Sequence, residues 1–429
     1  MGDLSMQTLS KREDVDVSGE EQEPPAERAL PTALFLERDR QTFRQFLRIG
    51  IADVLARGET IDLDINEEFP RLIPVLCSYF TGEELTQLIG REMAARFFAL
   101  YRLEIVQNLF LESELQKVLH AFNEAGIAVI LMKGPVLAHA FYPRPQLRTY
   151  HDFDMLIHPQ DLSCAHDLLL ALGYKFYEEF RANVINEKRT GYNYMLKRDD
   201  SWLEVLIELH TAPHADEDAT VFDVQSWWAQ AMPITVLGEK TLALSAEDHL
   251  LYLCWHYRFH SFTRLLWLYD LAMLARACAH TLDWETLLRQ AKQFRLKTTL
   301  YYCLSWCRDL FAVEIPAQVF DCLRPPSLCR FVVERIALSN LVTTLATVEG
   351  KNRRIVAHRA MVDSTAGLLY AGLRTLFPSP AAMGQRYMEH SRLPLRLFFV
   401  YYLIHPWLTL AKARHYVLPF SRKERKSGQ

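Results

Sequence analysis

The segment Ile130–His158, ILMKGPVLAHAFYPRPQLRTYHDFDMLIH, constrains this chain more than any other. An apolar run ends at Lys133-Gly134-Pro135, a short helical stretch follows, and a second β-type run carries Asp152-Phe153-Asp154. Alternate residues of a strand share a face, so Asp152 and Asp154 point one way and Phe153 points to the core. Two carboxylates spaced about 6–7 Å along one strand face can share hard divalent cations and hold a polyphosphate against them. Asp-x-Asp alone is common. A strand, a glycine turn, a helix and Arg148 ahead of it make the pattern restrictive.

A third carboxylate is expected from a neighbouring strand. In Trp202–His210, Leu203, Val205, Ile207 and Leu209 fall on one face, and Glu204, Leu206, Glu208 and His210 on the other. Glu208 lies deeper in the apolar run and is the preferred candidate, with Glu204 in reserve. Gly134 lets backbone approach a ligand closely and opens a helix N-terminus, which favours anions. Lys133 adds a point charge there, and Arg148 a bidentate fork. Pro135 suits the first helical position but removes one N–H donor, which shifts weight onto Lys133 and Arg148.

These residues resemble a bacterial family usually described as uncharacterised nucleotidyltransferases, within the DNA polymerase β-like superfamily. The shared elements are Lys133-Gly134, Tyr142-Pro143, Arg148 and Asp152-Phe153-Asp154-Met155-Leu156-Ile157. The likeness resumes at Ile207-Glu208-Leu209-His210 and again over His256–Asp270, so it covers about residues 119–275. It implies an α+β fold in which a mixed sheet is flanked by helices. The implied reaction moves a nucleoside monophosphate from an NTP such as ATP to a hydroxyl acceptor and releases pyrophosphate. Asp152, Asp154 and Glu208 are then the catalytic and metal residues, holding two Mg²⁺ or Mn²⁺ ions. Lys133, Gly134 and Arg148 bind the nucleotide phosphates, and His210, His256 and Arg264 stand on the acceptor side or behind the ligands. For Arg264 the packing alternative is a salt bridge to Asp270. Two other readings stay open: an adenylylating toxin or modifier of protein or tRNA, and a degenerate nucleotide-binding scaffold.

A net charge of −4 and a pI near 6.4 argue against stable, sequence-independent DNA binding. The eight scattered cysteines read as reduced thiols, and with no signal peptide the chain is expected to be cytoplasmic. Expected units are a disordered acidic tail (1–30), an N-terminal helical segment (31–118), the α/β core (119–238), a C-terminal helical domain (239–420) and a basic tail (421–429). Within the C-terminal region, Leu397–Ile404 (LFFVYYLI) is too short to cross a bilayer and reads as a buried helix. A weak peripheral membrane contact, helped by the basic tail, is its second reading. The run Lys351–Arg354, with His358 and Arg359, reads as a solvated charge run.

Overall fold

The computed structural model describes residues 37–56, 68–176, 191–197, 204–213, 222–337, 341–347, 350–387 and 399–417. The acidic and basic tails expected at 1–30 and 421–429 lie outside the described residues.

The fold is α+β. Four helices open it: α1 (Glu37–Ala56), α2 (Glu68–Tyr79), α3 (Gly82–Ile89) and α4 (Arg91–Glu124). A capping box starts α3, with Thr81 and Glu84 each bonding the other's backbone N–H. Helix α4 runs past residue 118, the expected end of the N-terminal helical segment, and stops just before Gly126, whose φ of 72° no helix continues through.

The α/β part runs β1 (Val129–Leu131), α5 (Pro135–Ala140), β2 (Asp152–Ile157), α6 (Leu162–Ala171), β3 (Lys175–Phe176), β4 (Gly191–Lys197), β5 (Glu204–His210), α7 (Val224–Gln230), β6 (Met232–Val236) and β7 (Glu239–Ala243). The described strands form one mixed sheet in the order β3-β4-β5-β2-β1-β7-β6. Five strands are expected from the sequence; the additional pair is the β6–β7 hairpin. It turns at Leu237-Gly238, both with positive φ (54° and 83°), and lays β7 parallel to β1. Two such residues suit a tight hairpin, but leucine there gives no turn signal.

Strand parity divides the sheet cleanly. Val129, Leu131, Phe153, Met155, Val205, Ile207 and Leu209 join one core with residues of α4 and α6, such as Leu115 and Leu169. Ile130, Met132 and Leu156 face the other way, into a second core built mostly of helices. Those helices are α8 (Ala246–Phe259), α9 (Leu265–Ala277), α10 (Trp284–Gln293), α11 (Lys297–Phe311), α12 (Ala317–Leu323), α13 (Ser327–Phe331), α14 (Leu341–Ala346), α15 (Gly350–Ala360), α16 (Thr365–Leu376), α17 (Pro380–Tyr387) and α18 (Phe399–Val417). Phe43, Phe46 and Leu47 of α1 lie in this same core, so the first and last helical parts of the chain are packed together. Asp39 of α1 anchors them: fully buried, it accepts two bonds from Arg276 of α9 at 2.6 and 2.7 Å and one from the Tyr79 hydroxyl at 2.8 Å.

Three expectations for the C-terminal part need correction. Ile355–Leu376 reads as one helix, but it is broken between α15 and α16. Asp363 at the break caps α11 through the Lys297 and Thr298 N–H groups, and Ser364 caps α16. The basic run of α15 is not simply solvated: buried Arg354 donates to the Thr344 carbonyl, and His358 to that of Arg258. Helix α18 is not a buried helix, because Phe399, Leu403, Trp407 and Leu410 are exposed.

Helix α8 is capped by Ser245, which bonds the Asp248 N–H, and it roofs the sheet face opposite α4. From it, fully buried His249 donates through Nε2 to the Met132 carbonyl at 3.0 Å, pinning the end of β1 just before Lys133. Burial lowers the His249 pKa to about 4, against the opposing pull of that hydrogen bond. The folded protein therefore holds this ring neutral where the unfolded chain protonates it. Stability should be fully present above pH ~6.5 and fall as pH drops toward 4, by on the order of 3 kcal/mol from this residue. Urea titrations at stepped pH check it: His249→Leu should flatten the slope in that window, and an unchanged slope would assign it to other groups.

Candidate active site

Strands β2 and β5 run parallel with Asp154 beside Glu208 and Asp152 beside Leu206, so strand parity puts both aspartates and Glu208 on one face. That face looks toward α8, from which Tyr252 and His256 descend. Asp154 is almost fully buried, whereas Asp152 and Glu208 are half-buried. Ligand atoms of Asp154, Glu208 and His210 all lie within 4.8 Å of one another. Among the described residues no other group of acids, histidines or cysteines gathers so closely. Asp152 stands one pleat further along, outside this tight group. The third member is His210, which ends β5 on the same face as Glu208.

Two basic side chains reach Asp154. Lys133 Nζ lies 2.8 Å from its Oδ1, and His210 Nε2 lies 3.3 Å from the same oxygen and 3.5 Å from Glu208 Oε2. Burial opposes ionisation of Asp154, yet Lys133 and His210 outweigh it and hold the carboxyl far below the usual range. Burial likewise opposes charge on Lys133, but Asp154 first, then Tyr252, Asp152 and Glu208, keep it a firm ammonium. The same competition raises His210: burial lowers it, and the hydrogen bonds to Asp154 and Glu208 prevail. Tyr252 is driven up, by burial and by Asp154, Glu208 and Asp152 against the pull of Lys133. Its hydroxyl thus shares the field of the acidic cluster.

On the far side, Lys133 Nζ is 3.4 Å from His256 Nε2. Burial, Lys133 and His260 all hold His256 well below its ordinary pKa. A neutral ring beside a fixed ammonium accepts, so Lys133 donates both to Asp154 and to His256. Trp267 packs edge-on against His256 at 4.6 Å between centroids, and the Arg264 guanidinium stacks over Trp267 at 4.7 Å. Arg264 is the N-cap of α9 and only partly exposed.

Gly134 adopts φ 47° and ψ −95° at the start of α5. A Cβ there would stand 3.0 Å from Tyr150 Cβ, so the turn has no room for a side chain and no backbone tolerance for one. Helix α5 has only six residues, which limits what its dipole adds for an anion.

Arg148 is placed differently from expectation. Its guanidinium meets Asp270 of α9 in a fork, Nε to Oδ1 at 2.7 Å and Nη2 to Oδ2 at 2.9 Å, and Nη1 donates to the Thr149 carbonyl. Tyr142 adds a 2.7 Å bond to Asp270. Arg148, Thr149, Tyr142 and Asp270 are all buried, so the fork ties the lead-in of β2 to the helical roof. Asp270 is therefore not paired with Arg264.

The profile of the family described as uncharacterised nucleotidyltransferase matches residues 68–312, more than half of the chain. The chain belongs to that family. It is thus a nucleotidyltransferase, an enzyme that transfers a phosphorus-containing group. No curated protein matches it. Among solved structures, an antigenic nucleotidyltransferase-like protein from Paracoccidioides brasiliensis aligns at 17% identity and a TM-score of 0.28. That alignment covers 49% of this chain and 96% of the other.

The matched region of this nucleotidyltransferase takes in the Lys133 turn, β2, β5 and the α8–α9 roof. Sequence reasoning passed over Tyr252 and His249. Their signal was present: His249, Tyr252 and His256 recur at three- and four-residue intervals, a polar stripe on an otherwise apolar helix.

Proposed function

We propose that the protein transfers a nucleoside monophosphate from an NTP to a hydroxyl acceptor, releasing pyrophosphate, with Mg²⁺ or Mn²⁺ as cofactor. The observation that carries this reading is the convergence of Asp154, Glu208 and His210 on one strand face beside a fixed ammonium. Two carboxylates and an imidazole fit a divalent cation, and half-buried Asp152 and Glu208 leave the group open on one side. Asp154, Glu208 and His210 would hold one ion and Asp152 would help hold a second, a pair that would supply charge neutralisation of the triphosphate and a lowered pKa for the acceptor hydroxyl.

The chain's own groups supply the rest. Glu208, the more open carboxylate of the cluster, takes the acceptor proton as the acceptor oxygen attacks the α-phosphorus. The P–O bond to the β-phosphate breaks and pyrophosphate leaves. Lys133 keeps its charge beside the transferring group, which is where negative charge concentrates in such reactions. His256 faces Lys133 from the roof and, with Trp267 packed on it and Arg264 over Trp267, forms the acceptor side, an aromatic and cationic wall at a junction of the sheet and the helices.

The direct test is mass spectrometry of purified protein with Mg²⁺, each NTP and a pool of small-molecule and macromolecular acceptors. A nucleotide-sized mass increment matched by pyrophosphate supports transfer; none with any NTP or acceptor counts against it. The scaffold alternative makes a separate prediction: since Lys133 already neutralises Asp154, nucleotide would bind equally with and without divalent cations.

The acceptor wall has its own test. Arg264→Ala should weaken acceptor use about tenfold, the loss of one charge-assisted contact, while NTP binding holds. Equal losses for both substrates would remove Arg264 from the acceptor side.

A further inference from the structure

We propose that the face formed by α16 and α18 docks the protein on an anionic lipid surface. The first observation is an inverted helix. The inner side of α18 is polar: His405 is buried, its Nε2 donating to the Thr375 carbonyl at 3.1 Å and its Nδ1 accepting from the Tyr387 hydroxyl at 2.8 Å. Tyr402 also turns inward and donates to the Pro378 carbonyl. The outer side is apolar, with Trp407 76%, Leu403 66% and Phe399 60% exposed. A helix on an aqueous surface has the opposite arrangement.

The second observation is that the neighbouring helix continues the pattern. No residue of α16 is buried, and its outer side presents Leu369, Tyr370 and Leu373, followed by Phe377. Both of these neighbouring helices thus expose an apolar side that carries aromatic rings, the side chains suited to the boundary between headgroups and acyl chains. Exposed apolar surface on this scale calls for a partner.

The third observation selects that partner. Beyond Leu410 the chain carries Lys412, Arg414, Arg422, Lys423, Arg425 and Lys426 against the single acid Glu424, although the whole protein is net negative. Cations that follow an apolar helix in the sequence match an anionic bilayer. A second copy of the chain meeting this one through the same face would instead bring two such clusters together. No helix among the described residues is long and apolar enough to cross a membrane, and Pro406 interrupts α18 near its middle. The geometry is that of a helix pair lying in the plane of the surface.

Full-length protein should be sedimented with vesicles of phosphatidylcholine alone and of phosphatidylcholine with phosphatidylserine. It should pellet with the second, less so at high salt, and brominated acyl chains should quench fluorescence that disappears in Trp407→Ser. Leu403→Ser with Trp407→Ser should cut partitioning by roughly a hundredfold, since both side chains leave the apolar phase. Both are exposed, so the fold should hold, and an unchanged circular dichroism melt verifies that. Replacing Arg422, Lys423, Arg425 and Lys426 with Gln should erase the preference for phosphatidylserine. Failure to pellet with either vesicle overturns the proposal, as does partitioning indifferent to Leu403 and Trp407. A dimer that Trp407→Ser dissociates, without vesicle binding, assigns the face to a second copy instead.

Discussion

Asp154→Asn should abolish cation-dependent NTP binding and lower turnover by roughly a thousandfold or more, on the scale of losing a preorganised electrostatic contact to the transition state. The substitution keeps shape and one acceptor oxygen but removes the charge that Lys133 and His210 both address. It also leaves the Lys133 ammonium buried with a weaker partner, so some loss of stability should accompany it. Glu208→Gln separates the two effects. Glu208 is half-buried and contacts His210 rather than Lys133, so the fold should be nearly unaffected while the cation affinity drops. Titration calorimetry with MgATP reads both variants against the wild type. Unchanged affinity in Asp154→Asn would remove this strand face from nucleotide binding.

Arg148→Met and Asp270→Asn should each destabilise the protein by about 3–5 kcal/mol, because either one strands a buried partner without compensation. Replacing both, with Met and Leu, should recover much of that loss, since the cost lies in the uncompensated charge rather than in the missing pair. Tyr142→Phe removes only one bond to the same carboxylate and should cost about 1 kcal/mol. Chemical denaturation midpoints of the four variants test the order. The phosphate-binding role expected of Arg148 predicts something else: normal stability for Arg148→Met together with weakened NTP binding. That outcome would place the guanidinium in the nucleotide site.

Much of the candidate catalytic face was legible because it depends on the shortest-range rule available. Alternation along Asp152–Ile157 and along Glu204–His210 fixes which side chains share a side, and parallel pairing then brings Asp154 beside Glu208. The Lys133-Gly134 turn was legible for the same local reason. What escaped was long-range. Nothing near Arg148 announces Asp270, 122 positions away, so its guanidinium read as available when it is fully engaged. The β6–β7 hairpin escaped because Leu237 carries the positive φ that glycine or asparagine usually marks. Periodicity ran uninterrupted through Ile355–Leu376, and the break there follows from Asp363 capping a helix more than sixty residues earlier. His210 was assigned to the acceptor side or a supporting role because its neighbours were unknown; register puts it within reach of both carboxylates.

The Asp39–Arg276 bridge sets an order on how this chain acquires its shape. The two residues are 237 positions apart, and Arg276 also donates to the Phe311 carbonyl. During synthesis α1 emerges first and can meet Tyr79 early, yet its buried aspartate lacks Arg276, and Phe43 lacks Tyr269 and Phe311, until α9 and α11 exist. The sheet and its acidic face can assemble in the interval, but the helical roof above them closes only after the start of the chain has waited for its far partner. Contacts of such separation slow folding. A ribosome-bound chain arrested before residue 276 should therefore leave α1 open to protease, and one extended past residue 311, clear of the exit tunnel, should protect it.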